Sequence, residues 1–130
     1  MATGETDLGR MLASLDVDQR PGRYVFVTGE WPALRDGAAA IVEEGEGSTL
    51  IVDAEAARAA GAEVASVFAW LTLTVHSSLD AVGLTAAVSR ALADAGIACN
   101  VLAGYHHDHL LVPADRAADA TAALRRIGSP

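Results

Sequence analysis

The residues whose types and spacing could do chemistry fall at two polar joints in the second half of the chain. They are the run His76-Ser77-Ser78-Leu79-Asp80-Ala81-Val82-Gly83-Leu84 and the run Asn100-Val101-Leu102-Ala103-Gly104-Tyr105-His106-His107-Asp108-His109. Hydroxyls, carboxylates, imidazoles and one phenol ring stand together there between apolar segments. Such a set suits a free amino acid. A helix opening within the first run presents unpaired N–H donors and positive potential to a carboxylate, and an aspartate can pair with an ammonium group. Asp108 is assigned to the ammonium and Tyr105 to a wall for the side chain, while Gly83 and Gly104 permit close backbone approach. His76, Ser77, Ser78, Asp80, Val82 and Leu84 from the first joint, with Asn100 and His106 from the second, complete the candidate binding set. The same residues also have a plain structural reading, in which Ser77, Ser78 or Asp80 caps the helix and Asp108 stabilises a turn.

Two other chemistries compete for these residues. Side chains alternate along extended chain, so His107 and His109 share one face and His106 and Asp108 the other. Two imidazoles and an aspartate could hold a transition metal, but the His-x-His spacing lacks the pattern of a structural zinc motif, and no metal or other cofactor is expected. Cys99 beside histidines invites a nucleophile reading. Its apolar strand neighbours fit a packed small hydrophobe better. No phosphate loop, dinucleotide fingerprint or paired-carboxylate pattern is present, so the chain is expected to be non-catalytic.

The elements that must position these joints are legible from periodicity. Leu8, Met11, Leu12 and Leu15 predict an amphipathic helix over Asp7–Leu15, with Thr6 or Asp7 as its cap. Asp16–Gly22 reads as a breaker and Tyr24–Thr28 as a strand. A loop follows over 31–37, then a hairpin of Ala38–Glu43 and Ser48–Val52 around the turn 44–47, then a short helix over Ala54–Ala60. In the second half, Ser66–Val75 reads as a strand and Asp80–Ala95 as a helix with Leu84, Val88, Ala91 and Leu92 on one stripe. Ile97–Ala103 and Leu110–Val112 read as strands, and Ala114–Ile127 as a last helix.

The order from 66 onward is β-α-β-β-α, a ferredoxin-like unit of the α/β (α+β) class lacking its last strand. The first half offers strands to complete its sheet, so two interlocked halves are expected, over residues 1–64 and 65–130. The right-handed crossover rule makes the strands at 66–75 and 97–103 parallel. Their C-terminal ends, and hence the loop His76–Asp80 and the turn Tyr105–Asp108, must then lie on one edge of the sheet.

Composition bounds the rest. Apolar residues are 52% of the 130, enough for a buried core. The net charge of −8, with no lysine anywhere, argues against nucleic-acid backbone binding. It is carried by the first half, where 12 acids face 5 arginines. Cys99 is the single cysteine, so no internal disulfide is possible. The acidic N-terminus lacks the pattern of a signal peptide, and the apolar run near Val64–Val75 is too short to span a bilayer. A cytoplasmic protein that contacts no membrane is expected.

The phrase Ser78-Leu79-Asp80-Ala81-Val82-Gly83-Leu84, followed by Ala91-Leu92-Ala93-Asp94-Ala95-Gly96-Ile97, resembles the loop and helix of ACT domains in amino-acid-regulated enzymes. The segment Asn100–His109 resembles small stand-alone proteins made of two ACT-like halves and, more distantly, the ACT modules of eukaryotic arginine sensors. In those sensors, the turn after the second strand supplies ligand contacts, including the aspartate and aromatic that align with Asp108 and Tyr105. The histidine-rich turn is a departure from them. The resemblance covers 70–113 closely and the residues before 65 loosely. It implies a ferredoxin-like tandem ACT fold and a non-catalytic sensor of an amino acid or related metabolite. Because ACT-like sheets commonly pair edge to edge, it also implies a homodimer. The alternative is an interaction module that dimerises and binds no ligand.

Overall fold

In the computed structural model, which describes residues 4–128, the strands form a six-stranded antiparallel sheet. The outer ends of the two expected halves, 1–3 and 129–130, lie outside the described residues. The chain runs α1 (Leu8–Ala13), β1 (Val17–Thr28), α2 (Pro32–Arg35), β2 (Ala40–Glu44), β3 (Gly47–Asp53) and α3 (Ala54–Ala59). It continues as β4 (Phe68–Leu73), α4 (Leu84–Asp94), β5 (Asn100–Ala103), β6 (Asp108–Pro113), a 3-10 turn at Ala114–Arg116, and α5 (Ala117–Gly128). The strand order is β2-β3-β1-β4-β6-β5. The same arrangement thus occurs twice: β1 beside β3 beside β2, and β4 beside β6 beside β5, joined by antiparallel pairing of β1 with β4. This is the ferredoxin-like plan, with the first strand of each set completing the sheet of the other.

The helices cover one face. Val17 of β1, Ala69, Leu71 and Leu73 of β4, and Leu110 and Val112 of β6 pack under α1, α4 and α5 in the larger core. Val25, Val27, Leu50 and Val52 form a second core with α2 and α3. On the opposite face Tyr24, Ile51, Trp70 and Leu111, drawn from four strands, pack on one another with no helical residue among them. The period-2 alternation of β4 therefore places Trp70 on the open face and Leu71 in the helix-covered core.

The expected breaker at Asp16–Gly22 is instead the first half of β1. Val17–Arg20 pair with Leu73–Trp70 of β4, and the register then shifts before Tyr24 meets Phe68. Pro21 has no N–H to give a ladder, and such residues sit at bulges. The Pro-Gly pair marks an irregularity inside a strand. The loop at 31–37 contains the short α2, entered at Pro32 in the first-turn position where a missing N–H loses nothing. Strands 66–75 and 97–103 contract to β4 and β5, and the first turn of the last helix is 3-10. Asp7, one of the two expected caps of α1, accepts from the Arg10 amide at 3.0 Å.

Candidate functional site

β4 and β5 both run antiparallel to β6, so they are parallel to each other with β6 between them. The loop after β4 and the turn after β5 therefore meet at one edge. Ser77 Oγ stands 3.5 Å from Asp108 Oδ2, and the His76 and His106 rings lie 5.4 Å apart between centroids. Between loop and turn is a cavity of about 170 Å³ lined by Ser77, Ser78, Leu79, Ala81, Gly83, Leu84, Thr85, Ala103, Gly104 and Asp108. Drug-sized pockets begin at roughly 300 Å³, so this space fits a small metabolite.

α4 begins at Leu84, four residues later than expected. Its N-cap, Gly83, has φ +107°, a backbone conformation open to glycine, so the helix cannot extend back to Asp80. Ser78 caps a local turn through Asp80 instead: the Asp80 amide donates to Ser78 Oγ at 3.1 Å and the Ala81 amide to the Ser78 carbonyl at 3.0 Å. The first bond inside α4 runs from the Ala87 amide to the Gly83 carbonyl, and among the described residues no side chain caps the helix. The preceding amides of the first turn are thus without helical partners, and Gly83, Leu84 and Thr85 line the cavity. Across it Asp108 supplies the single ionisable carboxylate or base that the described residues bring to the lining. The second joint is tight. The Gly104 amide donates to the His107 carbonyl at 2.9 Å, and a Cβ on Gly104 would lie 2.8 Å from that carbonyl oxygen.

Of the residues expected from sequence, Ser77, Ser78, Gly83, Leu84, Gly104 and Asp108 line this cavity. His76, Tyr105 and His106 do not line it but meet one another edge to face, with Tyr105 and His106 ring centroids 5.2 Å apart. Tyr105 is 57% exposed and Val82 83% exposed, so neither walls the cavity. Asp80 contributes through the local turn rather than the lining. Asn100 is displaced: it opens β5 opposite Leu111, at the far end from Ala103, and its Nδ2 donates to the Leu111 carbonyl at 3.5 Å. The second run is not one joint, because its first residues, Asn100–Ala103, are strand. Leu79, Ala81, Thr85 and Ala103 were missed because small and apolar residues carry no chemical signal; their place beside the polar ones is the only clue. A further partner is remote in sequence. The Glu5 amide donates to the His76 carbonyl at 2.8 Å, and the Ser78 amide to the Glu5 carbonyl at 2.9 Å.

The remaining reactive groups are held elsewhere. His109 faces the open side of the sheet, where Trp70 Nε1–H donates to its Nδ1 at 3.2 Å and Thr72 Oγ1 lies 2.9 Å from the same nitrogen. Indole N–H only donates, so Nδ1 accepts and the proton sits on Nε2. Burial, and then the neighbouring His107, hold His109 below its ordinary value. His107 turns its Nδ1 inward without a hydrogen-bond partner among the described residues, as does His76 with Nε2. Among the described residues no three His, Cys, Asp or Glu side chains are grouped to hold a metal ion. Cys99 is half-buried against the larger core, and burial pushes its thiol up from the ordinary value. That raises the fraction held as inert thiol.

Two ACT-domain family models match the chain, one over residues 3–69 and the other over 66–126. The chain belongs to the ACT-domain family. It is 43% identical to a protein of unknown function from Vibrio cholerae, described as a possible transport protein, over 92% of this chain and 94% of that one, with a TM-score of 0.81. A protein from Agrobacterium tumefaciens shares 18% identity over 88% of this chain and 89% of its own, with a TM-score of 0.63. The ligand-free regulatory subunit of aspartate kinase from Thermus thermophilus shares 12% over 89% and 97%, with a TM-score of 0.64. These last two likenesses are of fold. No curated protein matches the chain. ACT domains are regulatory, non-catalytic modules that typically bind amino acids. Among the described residues no helix is long and apolar enough to cross a membrane.

Proposed function

We propose that this ACT-family protein is a non-catalytic sensor that binds a free amino acid in the cavity between the β4–α4 loop and the β5–β6 turn. One observation carries the reading: a lone carboxylate, Asp108, shares a cavity of about 170 Å³ with the uncapped N-terminus of α4. A zwitterion needs both poles, an acceptor for its ammonium and N–H donors for its carboxylate. The volume leaves room for one such molecule. The two ACT-like halves, over 1–64 and 65–130, form the regulatory body, and the signal passes to a partner or a change of assembly in the cytoplasm.

A thermal-melting panel of the twenty free amino acids tests this. A ligand at a hundredfold excess over its Kd stabilises by about 2.7 kcal/mol, and Asp108→Ala should abolish the shift. A panel in which every amino acid leaves the melting temperature unchanged would overturn the reading. A second reading rests on β2, whose outer edge has no strand partner among the described residues and whose Ile41 and Val42 are 40% and 43% exposed. Two copies could pair along such an edge. Sedimentation equilibrium showing a dimer that ignores all twenty amino acids would favour that module over a sensor.

A further inference from the structure

The segment Gly4–Leu8 crosses the candidate binding loop at both of its ends. Glu5 straddles Ser77 as a one-residue parallel bridge: its amide donates to the His76 carbonyl at 2.8 Å, and its carbonyl accepts from the Ser78 amide at 2.9 Å. Ser78 is buried to 4% exposure and anchors the turn that follows through its hydroxyl and carbonyl oxygens. Gly4 lies so close that a Cβ on it would stand 2.7 Å from the His76 carbonyl oxygen and 2.9 Å from the Ser78 amide nitrogen, and its φ is +96°. The Glu5 side chain then accepts from the Thr6 and Asp7 amides at 3.1 and 2.9 Å, turning the chain into α1. One turn on, Leu8 sits over Gly83, where a Cβ would meet Leu8 Cδ2 at 2.8 Å.

Ser78 and Gly83 thus bound the loop stretch that brings Ser78, Leu79, Ala81 and Gly83 to the cavity and leads into the first turn of α4, and one five-residue segment holds both. The loop between β4 and α4 has no sheet ladder or helix of its own to fix it. We infer that Gly4–Leu8 is a positioning strap that holds the β4–α4 loop in its ligand-competent shape, so that strap docking and ligand binding at the Asp108 cavity are energetically coupled. The inference rests on the amino-acid reading of that cavity. A loop ordered before binding spares the ligand the entropy of ordering it. By linkage, a ligand that favours the ordered loop must tighten the strap in return.

The test pairs isothermal titration, using the amino acid that the panel of twenty selects, with hydrogen exchange at the Ser78 amide. Gly4→Ala should speed Ser78 exchange and weaken binding about tenfold, within the usual range of coupling between sites. Gly61→Ala places the same strain at φ +88° where nothing lies within 4 Å of the new methyl, and should leave Kd unchanged. A chain lacking residues 1–5 keeps the Asp7 cap of α1 and should behave like Gly4→Ala. Asp108→Ala should lose binding yet keep Ser78 protected, which separates a failed site from a failed strap. Added ligand should slow Ser78 exchange in the wild type. Wild-type Kd in both strap variants would overturn the inference even if Ser78 exchange rises. If none of the twenty binds the wild type, the cavity reading fails and the strap's role in binding falls with it.

Discussion

Replacing Gly104 with alanine should open the turn between β5 and β6, and the structure sets the size of the effect. The added Cβ would lie 2.8 Å from the His107 carbonyl oxygen and 3.1 Å from His109 Nε2. Neither neighbour yields easily. The carbonyl is backbone and already accepts the Gly104 amide at 2.9 Å, and the imidazole is pinned through Nδ1 by Trp70 and Thr72. Relief therefore requires the turn to widen and that hydrogen bond to weaken. A net backbone bond is worth about 1 kcal/mol, and overpacking in fixed surroundings adds roughly 1–3 kcal/mol. The expected loss is about 2–4 kcal/mol at an unchanged m-value, read by urea unfolding. Gly45→Ala, where nothing lies within 4 Å and φ is not positive, serves as the control and should stay within about 0.5 kcal/mol of wild type. A Gly104→Ala protein as stable as the control would refute the claim that this turn is tightly closed.

Three further outcomes follow from the same structure. His109 has a folded-state value below its ordinary 6.5, so the unfolded chain binds the extra proton first; stability should fall as pH drops below about 6.5 and level off beneath the folded value, a step that His109→Gln removes in melts run across pH. Cys99, half-buried with a raised thiol value, should react with iodoacetamide in the native protein far more slowly than after urea unfolding, and equal rates would contradict its packing. Leu71→Ala removes a fully buried side chain from a central strand and should lose about 2–5 kcal/mol, whereas Val42→Ala at the exposed β2 edge should lose far less; equal losses would displace the core from where it is drawn.

The sheet edge was legible because chain direction follows from connection rules. A helix joining two strands forces them parallel, and that alone brings Ser77 to Asp108. Local turn chemistry was less reliable. Pro21-Gly22 reads as a break, yet pairing with β4 on one side and β3 on the other carries the strand through it. Ser78 and Asp80 have the types of helix caps, but the positive φ of Gly83 defers α4 to Leu84. Asn100 enters the candidate set as the first residue of the second run, and strand register puts it at the other end of β5. The contact of Glu5 with Ser77 has no sequence signal, because backbone hydrogen bonds between remote residues depend on no side chain.

The central claim, that one amino acid binds between Asp108 and the start of α4, is tested most directly by following backbone amide resonances as the panel's best amino acid is titrated in. The account predicts that the largest shifts fall on Ser77, Ser78, Gly83, Leu84, Thr85, Gly104 and Asp108, and that Asp108→Ala silences them together. Shifts centred instead on the open face around Trp70 and Leu111, or shifts that persist in Asp108→Ala, would contradict it.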